Sequence, residues 1–218
     1  VQTMAEQGAD IAFCDVKDEE GKATEKEIAE LTGKKIKFYH CDVTDEQQVH
    51  DTVAAIVKEF GKIDQLINNA GILTYGPIAT YSKAEFERMI AVDVVGPWLV
   101  SREVMNQSMI PNKKGRIVNI SSVAAQYGTN AGCPAYHAGK GAILGLIKGQ
   151  ACEYPQYGDI LVNGVGPGTI LNGTMTSRSK VASNPETHKN GRNPLTRAGH
   201  FGDMSGRIIY FLSDECTY

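Results

Sequence analysis

Short runs rich in β-branched and aromatic residues alternate along this chain with longer segments of helical periodicity. Residues 9–14, 35–40, 63–67, 116–120 and 160–165 read as strands. Residues 17–31, rich in Glu, Lys and Ala, read as an exposed helix. Thr44, with Gln47 three residues later, forms a capping-box start for a helix that runs to Phe60, with Val49, Val53, Ile56 and Val57 on its inner face and Gly61 at its end. Residues 83–109 read as one long helix bent near Gly96-Pro97, residues 135–153 as another and residues 203–212 as the last. A strand that is followed by a helix must return to the same end of the sheet before it can pair again. The expected fold class is therefore α/β, a parallel sheet with helices on both faces. Residues 169–193 break the pattern and read as a lid or binding loop, or as an ordinary surface excursion.

With 218 residues, 42% of them hydrophobic, the chain can bury the core of one domain. A net charge of −3 without a basic block argues against nucleic acid or an anionic membrane as main partner. No apolar run approaches the roughly 20 residues of a membrane helix. Cys14, Cys41, Cys133, Cys152 and Cys216 are scattered and form no CxxC, and the histidines form no HxxxH or HExxH. This pattern supports neither a metal site nor a disulfide framework, and the expected location is a reducing cytoplasm.

Tyr136 and Lys140 stand four residues apart at the start of the helix expected over residues 135–153. On a helix they share one face, one turn apart. An ammonium beside a phenol favours phenolate and is expected to lower the pKa from its usual value of roughly 10. The pair can then donate or take a proton near neutrality. Most pairs at this spacing are surface packing, so the chemistry depends on what else the chain carries.

Four motifs follow one another in order. Asn68-Asn69-Ala70-Gly71 follows a strand, and Asn119-Ile120-Ser121-Ser122 ends another. Tyr136-xxx-Lys140 comes next, and Asn163-Gly164-Val165-Gly166-Pro167-Gly168 closes the series. Together they resemble the short-chain dehydrogenase/reductase family. The resemblance implies a Rossmann-type doubly wound sheet, a nicotinamide cofactor, and hydride exchange with a small-molecule alcohol or ketone. It makes Tyr136 the acid/base and a cofactor contact, Lys140 its partner and a nicotinamide-ribose ligand, and Ser122 the residue that hydrogen-bonds the substrate oxygen, with Ser121 as rival. The serine–tyrosine spacing is one residue longer than the family often shows, so a bulge is expected before Tyr136. The resemblance also implies adenine contacts at Asp42 and Val43, adenosine-ribose contacts at Asn69, Ala70 and Gly71, and a nicotinamide turn at Pro167, Gly168 and Ile170. A threonine commonly follows that turn, and here Asn172 or Thr174 is left to fill its place.

Two departures stand out. Asp93 replaces the family's fourth catalytic residue, an asparagine that holds a water near the lysine partly through its main-chain carbonyl. The sequence also lacks the opening strand with its Gly-rich turn, and the last strand, as expected of a piece of a longer polypeptide. Residues 1–218 are thus expected to be one dinucleotide-binding and catalytic domain without those pieces. The alternative to an active oxidoreductase is a catalytically impaired cofactor-binding or scaffold member, suggested by Asp93. Asp15, at the end of the first strand, is placed to hydrogen-bond a ribose 2′-OH and to repel a 2′-phosphate, which favours NAD over NADP. Lys17 softens that preference, and a helix N-cap is the other role open to Asp15. Residues 172–193 contain no aromatic, which leans the substrate toward a small polar ketone, polyol or sugar. The family's long helices pair with symmetry mates, and the apolar surplus at Ile143, Leu144, Leu146 and Ile147 points to a homodimer or homotetramer.

Overall fold

Ile11–Asp15 (β1) lies parallel to Ile36–His40 (β2), with Ile11 opposite Ile36 and Asp15 opposite His40. The structure, a computed structural model, describes residues 1–128, 132–171, 195 and 197–217. Gln65–Asn68 (β3), Lys114–Ile120 (β4) and Asp159–Val165 (β5) form a second parallel sheet in the order β3-β4-β5. The expected sheet is thus present as two parallel ladders. In a doubly wound order, a further strand would stand between β1 and β3. Among the described residues none does, so no ladder joins the two sheets.

Side chains join them instead. On one face pack Glu46–Phe60 (α3) and Gly96–Val104 (α5). Val49, Val53, Leu99 and Val104 meet Ile117, Ile160 and Val162 there, with Cys14 and Cys41 from the β1–β2 side. On the other face Gln2–Glu6 (α1) and Asp18–Thr32 (α2) cover β1 and β2 through Ala5, Ile28 and Ile36. Gly202–Leu212 (α8) covers β4 and β5 through Leu212 against Val118 and Val165. Ile117 and Val118 go to opposite faces, as the period of two requires. Gly21 lets α2 descend onto β2, since a Cβ there would sit 2.3 Å from the Phe38 ring.

Local expectations shift where a neighbour claims the backbone. Thr44 does not cap α3, because its N–H and hydroxyl both bond the Asp42 carboxylate. Asp45 takes the cap, accepting from the Gln48 N–H, and Gln48 Nε2 donates back to it. Residue 63 does not open β3, because Ser108 Oγ bonds both the N–H and the carbonyl of Ile63.

The long helix over 83–109 is Lys83–Ile90 (α4), a π-turn at Ala91–Val95, α5, a second π-turn at Met105–Met109, and Ile110–Asn112 (α6). Each π-turn is centred four residues before a proline: Asp93 before Pro97, and Gln107 before Pro111. Proline has no N–H for the carbonyl four residues back, so the turn widens. The single bend expected near Gly96-Pro97 becomes two π-turns upstream of the prolines. The first of them presents Asp93.

Candidate active site

β3, β4 and β5 end side by side, and a buried polar chain aligns their ends with the helices. Asn68 Nδ2 donates to Ser101 Oγ at 2.9 Å and to Asn119 Oδ1 at 2.8 Å. Asn119 Nδ2 donates to Gln150 Oε1, and Gln150 Nε2 to the Tyr154 hydroxyl. In a low-dielectric core such a satisfied chain fixes α5, β3, β4 and Pro134–Glu153 (α7) in one arrangement.

The two serines after β4 separate in role. Ser121 is buried, and its hydroxyl donates to the Lys140 carbonyl at 3.1 Å, tying β4 to α7. Ser122 Oγ accepts from the Ala124 N–H at 3.2 Å, and its hydroxyl lies near enough to the Tyr136 phenol to lower the phenol's pKa. The structure therefore brings Ser122, and not Ser121, to Tyr136. The turn after it begins as a 3-10 helix at Val123–Ala125, and residues 129–131 of the expected bulge lie outside the described residues.

Tyr136 and Lys140 lie on adjacent turns of α7, with Lys140 Nζ 5.6 Å from the Tyr136 ring centroid. Lys140 is 4% exposed and donates to the Ile120 carbonyl at 3.2 Å. Its Nζ stands 3.3 Å from Asp93 Oδ2. Asp93 is 0% exposed, and its Oδ1 accepts from the Ile72 N–H at 2.7 Å. Oδ2 makes no directed hydrogen bond, so the Lys140 charge is what compensates it. α7 packs on the π-turn at Gly139, where a Cβ would lie 3.4 Å from the Asp93 Cβ.

Burial pushes the Asp93 carboxyl up, and Lys140 pulls it back. Burial also pushes the Tyr136 phenol up, the Ser122 hydrogen bond lowers it, and the Asp93 charge raises it. The expectation that Lys140 depresses this phenol is corrected: Asp93 compensates the ammonium, and desolvation dominates. Tyr75 and Cys133 add smaller upward pushes, which places both near the phenol. Sequence reading passed over Tyr75 because the stretch after β3 has no periodicity to mark it.

Asp15 is exposed at the end of β1, and its Oδ1 accepts from the Lys17 N–H at 3.1 Å. It is not the N-cap of α2, which is Lys17. Lys17 Nζ is committed to Glu20 at 2.9 Å. Asp42 and Val43 follow β2. Asp42 Oδ1 is held by Thr44, and the Val43 side chain packs on Gly96, where a Cβ would meet it at 2.7 Å. Val43 thus has backbone, not side chain, to offer a ligand. Asn69 and Ala70 are exposed beyond β3. Beside Gly71 stand Lys140 Nζ and Asp93 Oδ2, 3.3 and 3.4 Å from where its Cβ would be. The ion pair is therefore what presses on Gly71.

Pro167, Gly168 and Ile170 follow β5. The Pro167 carbonyl accepts from the Val123 N–H. Ile170 bridges Gly199 through the flanking Thr169 carbonyl and Leu171 N–H, so its own N–H and carbonyl turn to the opposite edge. Asn172 and Thr174, with residues 172–193 generally, lie outside the described residues. A cavity of about 290 Å³ beside Ser122 is lined by Val123, Gln126, Leu144, Ile147 and Lys148, but not by Tyr136 or Lys140. Among the described residues no cluster of metal-ligating side chains occurs, and no helix is long and apolar enough to cross a membrane.

Residues 1–183 match the family model described as short chain dehydrogenase. A 3-alpha-(or 20-beta)-hydroxysteroid dehydrogenase of Mycobacterium tuberculosis is 36% identical over 218 residues, which are 100% of this chain and 78% of that protein. The structure superposes on NAD+-bound xylitol dehydrogenase with a TM-score of 0.88 at 32% identity, covering 99% of this chain and 87% of that one. It superposes on a gluconate 5-dehydrogenase from Burkholderia cenocepacia, in complex with NADP and tartrate, with a TM-score of 0.87 at 27% identity, covering 96% and 80%. The fold is thus shared with dehydrogenases that hold a nicotinamide nucleotide, and this chain belongs to the short-chain dehydrogenase family of nicotinamide-dependent alcohol/ketone oxidoreductases.

Proposed function

We propose that the chain interconverts a small polar alcohol and its ketone, with Tyr136 as acid/base. The observation that carries this reading is the placing of Tyr136 and Lys140 on adjacent turns of α7, Nζ 5.6 Å from the phenol ring and bonded to the Ile120 carbonyl at the strand end that leads into Ser122. The nicotinamide supplies or accepts the hydride. In reduction, charge grows on the carbonyl oxygen, where the Ser122 and Tyr136 hydroxyls stabilise it and Tyr136 delivers its proton. Lys140 holds positive charge beside the phenol, and Asp93 holds its ammonium in place at 3.3 Å. Oxidation runs the same path backwards.

The cofactor's adenosine end falls to Asp15, Asp42, Val43, Asn69, Ala70 and Gly71. Its nicotinamide end falls to Lys140, Pro167, Gly168 and Ile170, whose outward N–H and carbonyl suit an amide. An exposed carboxylate ending β1, with the nearby Lys17 already paired to Glu20, favours NAD over NADP. Replacing Asp15 with Ser removes the charge that repels a 2′-phosphate, so efficiency with NADP should rise relative to NAD. Steady-state kinetics with both cofactors reads this, and an unmodified protein that already prefers NADP sinks it.

A screen of cofactor reduction over alcohols, polyols and sugars tests the substrate class. Nicotinamide binding without turnover across that panel would instead favour the scaffold reading, in which the Asp93–Lys140 pair holds the lysine away from catalysis.

The protein works as a homodimer or homotetramer in the cytoplasm. Val95 and Trp98, three residues apart on the π-turn and α5, are 39% and 44% exposed, an apolar face suited to a second copy. Light scattering at micromolar concentration should show the oligomer, and a fully active monomer would rule it out.

A further inference from the structure

His137 follows Tyr136 directly on α7 and is half-buried. Its ring Nδ1 lies 2.7 Å from the Ala124 carbonyl oxygen. A carbonyl only accepts, so Nδ1 carries the hydrogen and donates it. Ala124 belongs to the 3-10 turn at Val123–Ala125 that follows Ser122. The end of a helical turn leaves carbonyls in need of partners, and a histidine ring is one of the groups that supplies them. Here the Val123 carbonyl accepts from the Gln126 and Tyr127 N–H groups, and the Ala124 carbonyl accepts from His137.

The other polar group of Ala124 faces the site. Its N–H donates to Ser122 Oγ at 3.2 Å. Ala124 is thus held at both ends, its carbonyl by α7 and its N–H on the serine oxygen. That N–H fills one acceptor position of Oγ and leaves the hydroxyl hydrogen to donate. The other hydrogen bonds between α7 and β4 lie before the serine. Ser121 Oγ donates to the Lys140 carbonyl at 3.1 Å, and Lys140 Nζ donates to the Ile120 carbonyl at 3.2 Å. They fix the strand end. Past it, the Val123 N–H bonds the Pro167 carbonyl on the β5 side, and His137 ties the turn to the helix that carries the phenol. Residues 123–135 separate Ser122 from Tyr136 along the chain, so the distance between the two hydroxyls is set by contacts across the fold.

We propose that His137 is a positioning residue, which acts through Ala124 to hold the Ser122 hydroxyl in register with the Tyr136 phenol. It moves no proton and touches no substrate. Consecutive residues of one helix then place both hydroxyls, Tyr136 directly and Ser122 through the His137 bond. Placement matters because two donors must converge on one oxygen, and a displacement of about 1 Å costs roughly 10²-fold in rate. The positioning role, though not the hydrogen bond, rests on the assignment of Ser122 and Tyr136 to the substrate oxygen.

The test measures NAD reduction by the whole chain with whichever alcohol of the panel it turns over fastest. His137→Leu keeps bulk and removes the donor, so kcat and kcat/KM should fall together by about tenfold or more, while NAD affinity by titration stays the same. His137→Asn puts an amide nitrogen where Nδ1 stands and should recover most of the loss. In a Ser122→Ala background, His137→Leu should cost no further turnover, since no hydroxyl remains to be placed. A merely structural residue would cost the same factor in both backgrounds. If His137→Leu does not fold, His137→Gln, whose donor stands one bond further out, takes its place. Nitrogen NMR of labelled histidine reads the bond directly and needs no substrate: His137 should carry its hydrogen on Nδ1. Equal losses in the two backgrounds, unchanged turnover without the donor, or a bare Nδ1 overturns the proposal. Ser122→Ala with unchanged turnover, or no turnover on the whole panel, is instead a failure of the proposed function and takes the positioning role with it, while the NMR signal still decides the bond.

Discussion

Tyr136→Phe should lower turnover by roughly 10²-fold or more, the scale of a positioned acid/base group. The substitution keeps the ring and deletes only the hydroxyl that meets Ser122. Cofactor affinity should change little, because the hydroxyl is assigned to the substrate and not to the nucleotide. Folding should be preserved, since the ring's packing on α7 is unchanged. Near-native turnover in the variant would reject Tyr136 as proton donor. In the unsubstituted protein, burial and Asp93 both raise this phenol. Oxidation needs phenolate, so its rate should climb as pH rises toward the Tyr136 pKa. Asp93→Asn removes one of the upward pushes and should move that climb to lower pH, with turnover retained or raised. A collapse of turnover in a folded Asp93→Asn protein would mean that the carboxylate itself is required.

Lys140→Met should cost about 3–5 kcal/mol of stability at neutral pH, because it leaves Asp93 as an uncompensated buried charge. Asp93 is fully buried, and its second oxygen has no hydrogen-bond donor to replace the ammonium. The sign of the pH dependence follows. In the variant the folded-state pKa of Asp93 is raised further above its unfolded value. The deficit is therefore full above that raised pKa and disappears as pH falls below the unfolded value. Combining Lys140→Met with Asp93→Asn removes both charges and should restore most of the stability while leaving turnover low. Denaturant titrations of the two variants and the unsubstituted protein read this cycle. Equal stability of the single and double variants would show that the pair carries no buried-charge penalty.

What the sequence determined by itself was local. Runs rich in β-branched and aromatic residues located the strands, and helical periodicity located the long helices, within two residues except at the end of the segment expected over 83–109, which continues to Asn112. The i, i+4 spacing placed Tyr136 and Lys140 on one face of α7 before any tertiary contact was known. Pro97 and Pro111 marked the disturbed helix, although a bend was expected where two π-turns formed.

Tertiary structure decided whatever depends on residues distant in sequence. Ser121 and Ser122 are adjacent and chemically identical, and only the approach of α7 ties one to the Lys140 carbonyl and leaves the other to Tyr136. Asp93 was legible as an unusual residue. Its charge contact with a lysine 47 positions away, and the rise of the Tyr136 pKa that burial and then Asp93 cause, required α7 to pack on the π-turn. The same holds for the polar chain from Ser101 to Tyr154. Periodicity states which face of an element is buried. Which partner meets that face is set by the closing of the chain, and there the charges and hydrogen bonds of this site are settled.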